Sequence, residues 1–214
     1  MLKIYKLLLK EYGEQGWWPY DFVYNKNFKN KERTEEEKFE IVIGAILTQN
    51  TAWSNVEKTF KILKNNKILS RKKLEELNIE EIAKLIKPAG YYNQKARKIK
   101  EFLKFNKEIN RENLLEIWGF GPETVDSILL YAYNKPIFVI DSYTKRIFFR
   151  IGLYSKDISY NELQDLFYKN LKKDYKIFNE YHALIVEHAK QHCNSKPKCA
   201  GCCLNEVCKK NYLQ

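Results

Sequence analysis

Apolar residues recur at the spacing of helix faces along most of this chain. In the segment 39–50 they form a broad stripe, which predicts a buried helix ending near Gln49. Alternation of the kind that predicts strands is scarce, and the charged segment 26–38 predicts a surface loop. We therefore expect an all-α fold. Helical periodicity predicts an N-terminal helix and further helices over 52–65, 71–77, 80–86, 93–107, 112–118, 123–133, 142–152, 160–171 and 176–192.

The composition agrees with a folded helical protein. The 214 residues are 44% hydrophobic and 14% aromatic, and the 8 Gly and 5 Pro are too few for a turn-rich β fold. No apolar run is long enough to span a membrane, and the N-terminal segment lacks the pattern of a secretory signal. We expect a cytoplasmic monomer without a membrane partner, associated with the nucleoid if the source is prokaryotic.

The charge indicates a polyanionic partner. Lys and Arg outnumber Asp and Glu by 38 to 27, which gives a formal charge of +11. The segment 87–100 contains five basic residues and no acid, and it also contains Tyr91 and Tyr92. Basic residues interleaved with aromatic ones suit a nucleic acid, whose bases can stack. A solvated helix face explains this segment equally well.

The cysteines predict a metal centre. All five lie between positions 193 and 208, whereas a disulfide scaffold would distribute them along the chain. Structural zinc usually takes two close cysteine pairs, and only one such pair is present here. Four thiolates in one short loop favour a 4Fe-4S cluster, with zinc as the less favoured alternative. The expected ligands are Cys193, Cys199, Cys202 and Cys208, which leaves Cys203 over.

A glycine turn predicts a phosphate site. Gly119 and Gly121 separate two predicted helices, and Pro122 suits the first position of the second one. Backbone amides at such a helix N-terminus can hold a phosphate without a basic side chain. The nearby carbonyls of Leu115, Ile117 and Phe120 are a candidate site for a monovalent cation. The structural alternative is that the glycines only turn the chain.

Asp141 is the candidate catalytic residue. It follows an apolar stretch, precedes a predicted helix and suits the N-cap position. The structural alternative is that Asp141 only caps this helix. The functional alternative is a carboxylate that stabilises positive charge developing on a sugar during cleavage of a glycosidic bond. His182, His188 and His192 lie on the helix leading into the cysteine loop, and we expect them to pack.

Several motifs together resemble the helix-hairpin-helix DNA glycosylases of the endonuclease III type, over about residues 35–210. They are the segment 114–152, ILTQNT at 46–51, GYYNQKA at 90–96 and the four-cysteine loop. The resemblance implies a six-helix domain at 25–140 that contains the hairpin. It implies a second domain, made of 1–24 and 141–214, that contains the N-terminal helix and the cluster. Double-stranded DNA with a flipped damaged base would bind in the cleft between them.

The resemblance also implies roles for individual residues. Asp141 falls on the catalytic aspartate, Gln49 on the residue that fills the gap left by the base, and Tyr91 on the wedge beside it. The expected DNA contacts also include Gly119, Gly121 and Lys95. Two departures stand out. Glu123 replaces the lysine that gives bifunctional members their Schiff-base nucleophile, so we expect no AP-lyase activity, and the first cysteine interval is one residue shorter than usual.

Within this family the chain looks most like the 3-methyladenine DNA glycosylase III branch. The likeness rests on WWP at 17–19, on Phe39 to Thr51, on Pro88 to Ala96 and on the hairpin glutamate. It implies a monofunctional enzyme that excises alkylated purines, in a base pocket lined by Trp17, Trp18, Phe39 and Glu123. That branch lacks the four-cysteine loop, which makes this chain a cluster-bearing relative. The alternatives are a glycosylase for oxidised, deaminated or mismatched pyrimidines and a non-catalytic DNA-binding iron–sulfur protein.

Overall fold

The structure is a computed structural model that describes residues 1–27, 31–154 and 157–211. These residues form eleven α-helices, a short 3₁₀ turn at Lys87–Ala89 and no β-strand. The all-α prediction is confirmed. The helices are α1 (Leu2–Tyr12), α2 (Glu35–Leu47), α3 (Trp53–Asn65), α4 (Arg71–Glu76), α5 (Ile79–Leu85), α6 (Tyr92–Lys104), α7 (Arg111–Leu115), α8 (Pro122–Tyr131), α9 (Ser142–Ile151), α10 (Tyr160–Asn170) and α11 (Tyr175–Gln191).

Helix α2 begins earlier than the apolar stripe predicts. The Thr34 side chain accepts a hydrogen bond from the Glu37 amide, and the Glu37 carboxylate accepts one from the Thr34 amide. This capping box satisfies the first free amides of a helix even where the sequence is charged. The end of the segment predicted as a surface loop is therefore the first turn of α2.

The chain divides into two compact units. The terminal unit comprises Met1–Pro19, Tyr24–Lys31 and Asn134–Gln214, and the central unit comprises Tyr20–Val23 and Glu32–Tyr133. Helices α2 to α8 thus belong to the central unit, whereas α1 and α9 to α11 belong to the terminal unit. In the described residues, no helix is both long and apolar enough to cross a membrane.

Each unit has its own apolar core. In the central unit, the run Ile41–Leu47 of α2 is buried on every side. In the terminal unit, the Phe138 ring stacks on Phe167 with centroids 3.7 Å apart and meets Tyr181 edge-on at 5.8 Å. Tyr5 of α1 contacts the same Tyr181 at 5.1 Å, which packs α1 against α11. This packing fixes the position of α11, which contains His182 of the candidate site.

Candidate functional site

Asp141 is the N-cap of α9, as predicted. Its Oδ1 accepts hydrogen bonds from the Thr144 amide and the Thr144 hydroxyl, both at 2.7 Å. The residue is only 9% exposed. The helix therefore holds one oxygen of a nearly buried carboxylate in a fixed direction, close to the positive end of the helix dipole.

The second oxygen of Asp141 faces a histidine. Nε2 of His182, on α11, lies 3.5 Å from Oδ2, and His182 is 5% exposed. Burial by itself would raise the pKa of Asp141. The close approach of His182 and the hydrogen bonds from Thr144 outweigh it, so the pKa lies below its ordinary value. The group is thus held as a carboxylate, the form that can stabilise a cation.

Trp17 lies beside this pair, within the same unit. Its ring meets the His182 ring edge-on, with centroids 6.1 Å apart, and it meets the Trp18 ring at 6.0 Å. Trp18 is only 6% exposed. The terminal unit therefore brings together Asp141 and the two predicted pocket tryptophans, and it adds His182. No local sequence signal pairs His182 with Asp141, because the two residues are distant along the chain.

The central unit contains the glycine hairpin. Gly119 has a φ of 81°, and Gly121 is the N-cap of α8, with Pro122 at its first position. The Ile117 carbonyl accepts a hydrogen bond from the Phe120 amide at 3.0 Å. The turn leaves Gly119 exposed, as a phosphate site needs. The cation at the hairpin carbonyls stays a prediction.

A buried ion pair joins the two helices of this hairpin. Arg111 of α7 donates from Nε and Nη2 to the two carboxylate oxygens of Asp126 in α8, at 2.7 and 3.3 Å. Asp126 is completely buried. A bidentate pair of this kind fixes the angle between the helices as well as their separation.

Gln49 is attached to the hairpin through its side-chain amide. Its Nε2 donates to the Thr124 hydroxyl at 2.8 Å, and its Oε1 accepts from Lys98 Nζ. Tyr91 has a left-handed φ of 46° and is 65% exposed at the start of α6. Both residues lie in the central unit. Two hydrogen bonds hold the Gln49 side chain, whereas the Tyr91 side chain is exposed to solvent. Their roles in DNA binding stay predictions.

The burial of Lys95 contradicts the prediction that its side chain contacts DNA. Lys95 is 1% exposed, and its Nζ donates to the carbonyls of Leu47 and Ala89 at 2.8 and 2.7 Å. Burial and the neighbouring Lys98 lower the pKa of Lys95 to about 8. The ammonium group ties the end of α2 to the 3₁₀ turn, so it does not reach a phosphate.

The other two predicted pocket residues lie in the central unit. The Phe39 ring is half-buried beside Phe102, with centroids 6.5 Å apart, and the Arg71 guanidinium lies 5.9 Å from its centroid. Glu123 is exposed in the first turn of α8. A role in a base pocket stays a prediction for both. An unpredicted feature is the exposed Trp118, over which the Arg97 guanidinium lies at 3.8 Å.

Four of the five cysteines line one cavity in the terminal unit. They are Cys193, Cys199, Cys202 and Cys208, the set predicted as ligands. Among the described residues, no three His, Cys, Asp or Glu side chains are grouped closely enough to hold a single ion. Four cysteine thiols are the ligand set that a 4Fe-4S cluster takes. The donor set therefore fits an iron–sulfur cluster.

Arg150 of α9 forms hydrogen bonds to the backbone of the cysteine loop. It is 8% exposed and donates to the carbonyls of Asn194 and Ser195 at 2.6 and 3.2 Å. Another of its contacts is to the Cys193 Sγ at 3.4 Å. His188 packs beside the same loop, with Nδ1 2.8 Å from the Tyr12 hydroxyl and Nε2 3.7 Å from the Cys202 Sγ.

Comparison with known proteins identifies the family. The family model for the HhH-GPD superfamily base excision DNA repair protein matches residues 43–173, which is more than half of the chain. The chain is 43% identical to MJ1434 of Methanocaldococcus jannaschii, across 96% of this chain and 94% of that protein. MJ1434 is itself only provisionally assigned as a DNA repair glycosylase. The chain belongs to the HhH-GPD superfamily of base excision DNA repair proteins. It is a DNA glycosylase of the endonuclease III type.

More distant relatives agree with this assignment. Endonuclease III of Sulfolobus acidocaldarius is 28% identical across 80% of this chain and 81% of its own. The H. pylori 3-methyladenine DNA glycosylase (MagIII), solved with 1,N6-ethenoadenine, is 27% identical, with a TM-score of 0.70 over 88% of this chain and 96% of its own. A non-covalent endonuclease III–DNA complex has a TM-score of 0.81 at 20% identity, over 99% of this chain and 95% of its own, and shares the fold.

Proposed function

We propose that this protein is a monofunctional DNA glycosylase that hydrolyses the N-glycosidic bond of alkylated purines such as 3-methyladenine. The observation that carries the proposal is the helix-held carboxylate of Asp141, which lies next to His182, itself in contact with the Trp17 ring. The likeness to the H. pylori 3-methyladenine glycosylase supports this choice of substrate. The enzyme would act as a monomer in the cytoplasm, on nucleoid DNA.

The chemistry of the substrate matches this site. A purine methylated at N3 is already cationic, so it departs as a neutral base without being protonated. When the bond between C1′ and the base breaks, its electron pair leaves with the base and the sugar becomes an oxocarbenium-like cation. The Asp141 carboxylate stabilises that charge and accepts a proton from the water that attacks C1′. Trp17 contributes cation–π attraction of about 0.5–2 kcal/mol to the charged base.

The central unit supplies contacts to the DNA. The amides around Gly119 and Gly121 bind a phosphate, Gln49 fills the space of the flipped nucleotide and Tyr91 supports the neighbouring bases. An alkylated base is poorly paired, which lowers the cost of flipping it out. Glu123 occupies the position of the Schiff-base lysine and cannot form an imine, so the product is an intact abasic site.

We further propose that the four cavity-lining cysteines hold a 4Fe-4S cluster. When bound, the cluster supplies cross-links within the C-terminal loop and so contributes folding energy rather than chemistry at the sugar. Arg150 positions the loop around it through the carbonyl groups already described.

A substrate panel tests the proposed function. The protein is incubated with duplexes that contain 3-methyladenine, 1,N6-ethenoadenine, an oxidised pyrimidine, uracil or a T:G mismatch, and the released bases are identified. We expect release of the alkylated purines. Release of only the pyrimidine lesions would replace this proposal with an endonuclease III-like specificity, and salt-dependent binding without any release would indicate a non-catalytic protein.

Borohydride trapping on the same duplexes tests the absence of lyase activity. Glu123→Lys is the matched variant, because it restores the amine at that position. We expect no covalent adduct with the wild-type protein and an adduct with the variant. A trapped wild-type adduct would show that another lysine attacks the sugar.

A further inference from the structure

The two oxygens of the Asp141 carboxylate have different surroundings. Oδ1 is engaged by both hydrogen-bond donors of Thr144, at 2.7 Å each. Oδ2 faces His182 Nε2 at 3.5 Å. Since Oδ1 is committed to capping α9, Oδ2 is the oxygen whose direction the reaction depends on, and the side chain that determines this direction comes from α11.

We propose that His182 is a positioning residue for the catalytic carboxylate. Its imidazole directs Nε2–H at Oδ2 and thereby keeps the carboxylate ionised and in one orientation while the sugar acquires positive charge. The inference rests on the proposed function, because it takes Asp141 as the group that acts on the sugar. It assigns to His182 a role that is different from general packing.

The contact distance is consistent with this role. At 3.5 Å the two atoms are farther apart than in a formed hydrogen bond, and catalytic contacts of this kind often tighten only when substrate is bound. His182 is 5% exposed, so little water competes for Oδ2. The Trp17 ring packs against the imidazole with centroids 6.1 Å apart, which restricts its rotation.

Other charged and polar groups lie near this pair. From α9, Thr144 faces Asp141 through neutral donors. On α11, the Glu180 carboxylate accepts from the Gln15 amide at 2.7 Å. The Lys190 ammonium lies 5.9 Å from the Trp17 ring centroid. His182 faces Asp141 from α11 at 3.5 Å, so its removal changes the surroundings of Oδ2 directly.

Kinetics of two variants test the role. His182→Leu fills the buried space but donates nothing, whereas His182→Gln retains an amide donor of similar reach. The assay is single-turnover excision of whichever base the wild-type enzyme releases, with DNA affinity measured in parallel. We expect His182→Leu to be roughly 100-fold slower, with affinity changed less than about twofold, and His182→Gln to recover most of the rate. An unchanged rate in His182→Leu, or a glutamine variant as slow as the leucine variant, would overturn the proposal.

Acid unfolding supplies a readout that needs no substrate. The lowered pKa of Asp141 contributes stability above the unfolded-state pKa, and this contribution is lost as the pH falls through the folded-state pKa. His182→Leu raises the folded-state pKa, so acid unfolding should begin at a higher pH than in the wild-type protein. The shift should disappear when the same substitution is made in an Asp141→Asn background. A shift of equal size in both backgrounds would reduce His182 to a packing residue.

The two assays separate the inference from the proposed function. If the wild-type enzyme released no alkylated purine, the proposed substrate would be wrong, yet the coupling between positions 141 and 182 in acid unfolding would still be measured. If it released alkylated purines and the coupling was absent, the role of His182 alone would be wrong.

Discussion

The aliphatic part of the Lys98 side chain lies directly beneath Gly119, in the space that a Cβ atom at position 119 would occupy. Lys98 reaches this position from α6, and its Nζ continues to the Gln49 side chain. Gly119 also has a left-handed φ of 81°. The backbone conformation therefore favours glycine at this point of the hairpin, and a Cβ atom here would also displace the Lys98 side chain.

Gly119→Ala should destabilise the protein. The left-handed conformation costs a residue with a Cβ about 1–2 kcal/mol, and the Lys98 side chain must move as well. Urea unfolding measures the loss. Gly121→Ala is the matched control, since Gly121 has a φ of −99° and nothing lies within 4 Å of its added Cβ. It should leave stability within about 0.5 kcal/mol and weaken DNA binding by crowding the phosphate. Equal stability losses in the two variants would contradict this account of the turn.

Arg111→Met should destabilise the hairpin by roughly 3–5 kcal/mol, because it removes the bidentate guanidinium from the buried Asp126 carboxylate. The exposed pair of Lys107 and Glu116 lies near the same hairpin and provides the comparison. Lys107→Met should cost less than about 1 kcal/mol. Chemical unfolding of both variants measures the difference, and a loss in Arg111→Met as small as that in Lys107→Met would show that the pair does not hold α7 to α8.

Helix positions could be predicted from the sequence because each helix has its own apolar stripe. Asp141 could be predicted as an N-cap for a similar reason, since the capping signal is local. The start of α2 was missed because its first turn is entirely charged, and the stabilising contact there is a reciprocal hydrogen bond between Thr34 and Glu37.

Contacts between distant segments could not be predicted. Lys95 lies in a basic, aromatic segment that is typical of a DNA-facing surface, yet it is on the side of α6 that faces the carbonyls of Leu47 and Ala89. His182 and Asp141 meet only because α9 and α11 pack together. The binding role of a lysine or histidine depends on which helix face the tertiary fold covers, and periodicity does not report this for polar residues.

The cysteine loop offers an internal control for the proposed cluster. Cys199→Ser removes one of the four cavity-lining thiols, whereas Cys203→Ser changes a cysteine that is not among them. In protein purified without oxygen, Cys199→Ser should lose the brown iron–sulfur absorbance and most of its iron and sulfide. Cys203→Ser should retain both. Zinc in place of iron, or equal losses in the two variants, would contradict the assignment.

The most direct test of the central claim is the release of 3-methyladenine from methylated DNA by the wild-type protein and by Asp141→Asn. Asparagine still caps a helix, so the variant should fold and bind DNA as the wild-type protein does. Because it lacks the negative charge that stabilises the sugar cation, its single-turnover rate should fall roughly 1,000-fold. An Asp141→Asn protein that releases the base at close to the wild-type rate, or a wild-type protein that releases none, would contradict the account.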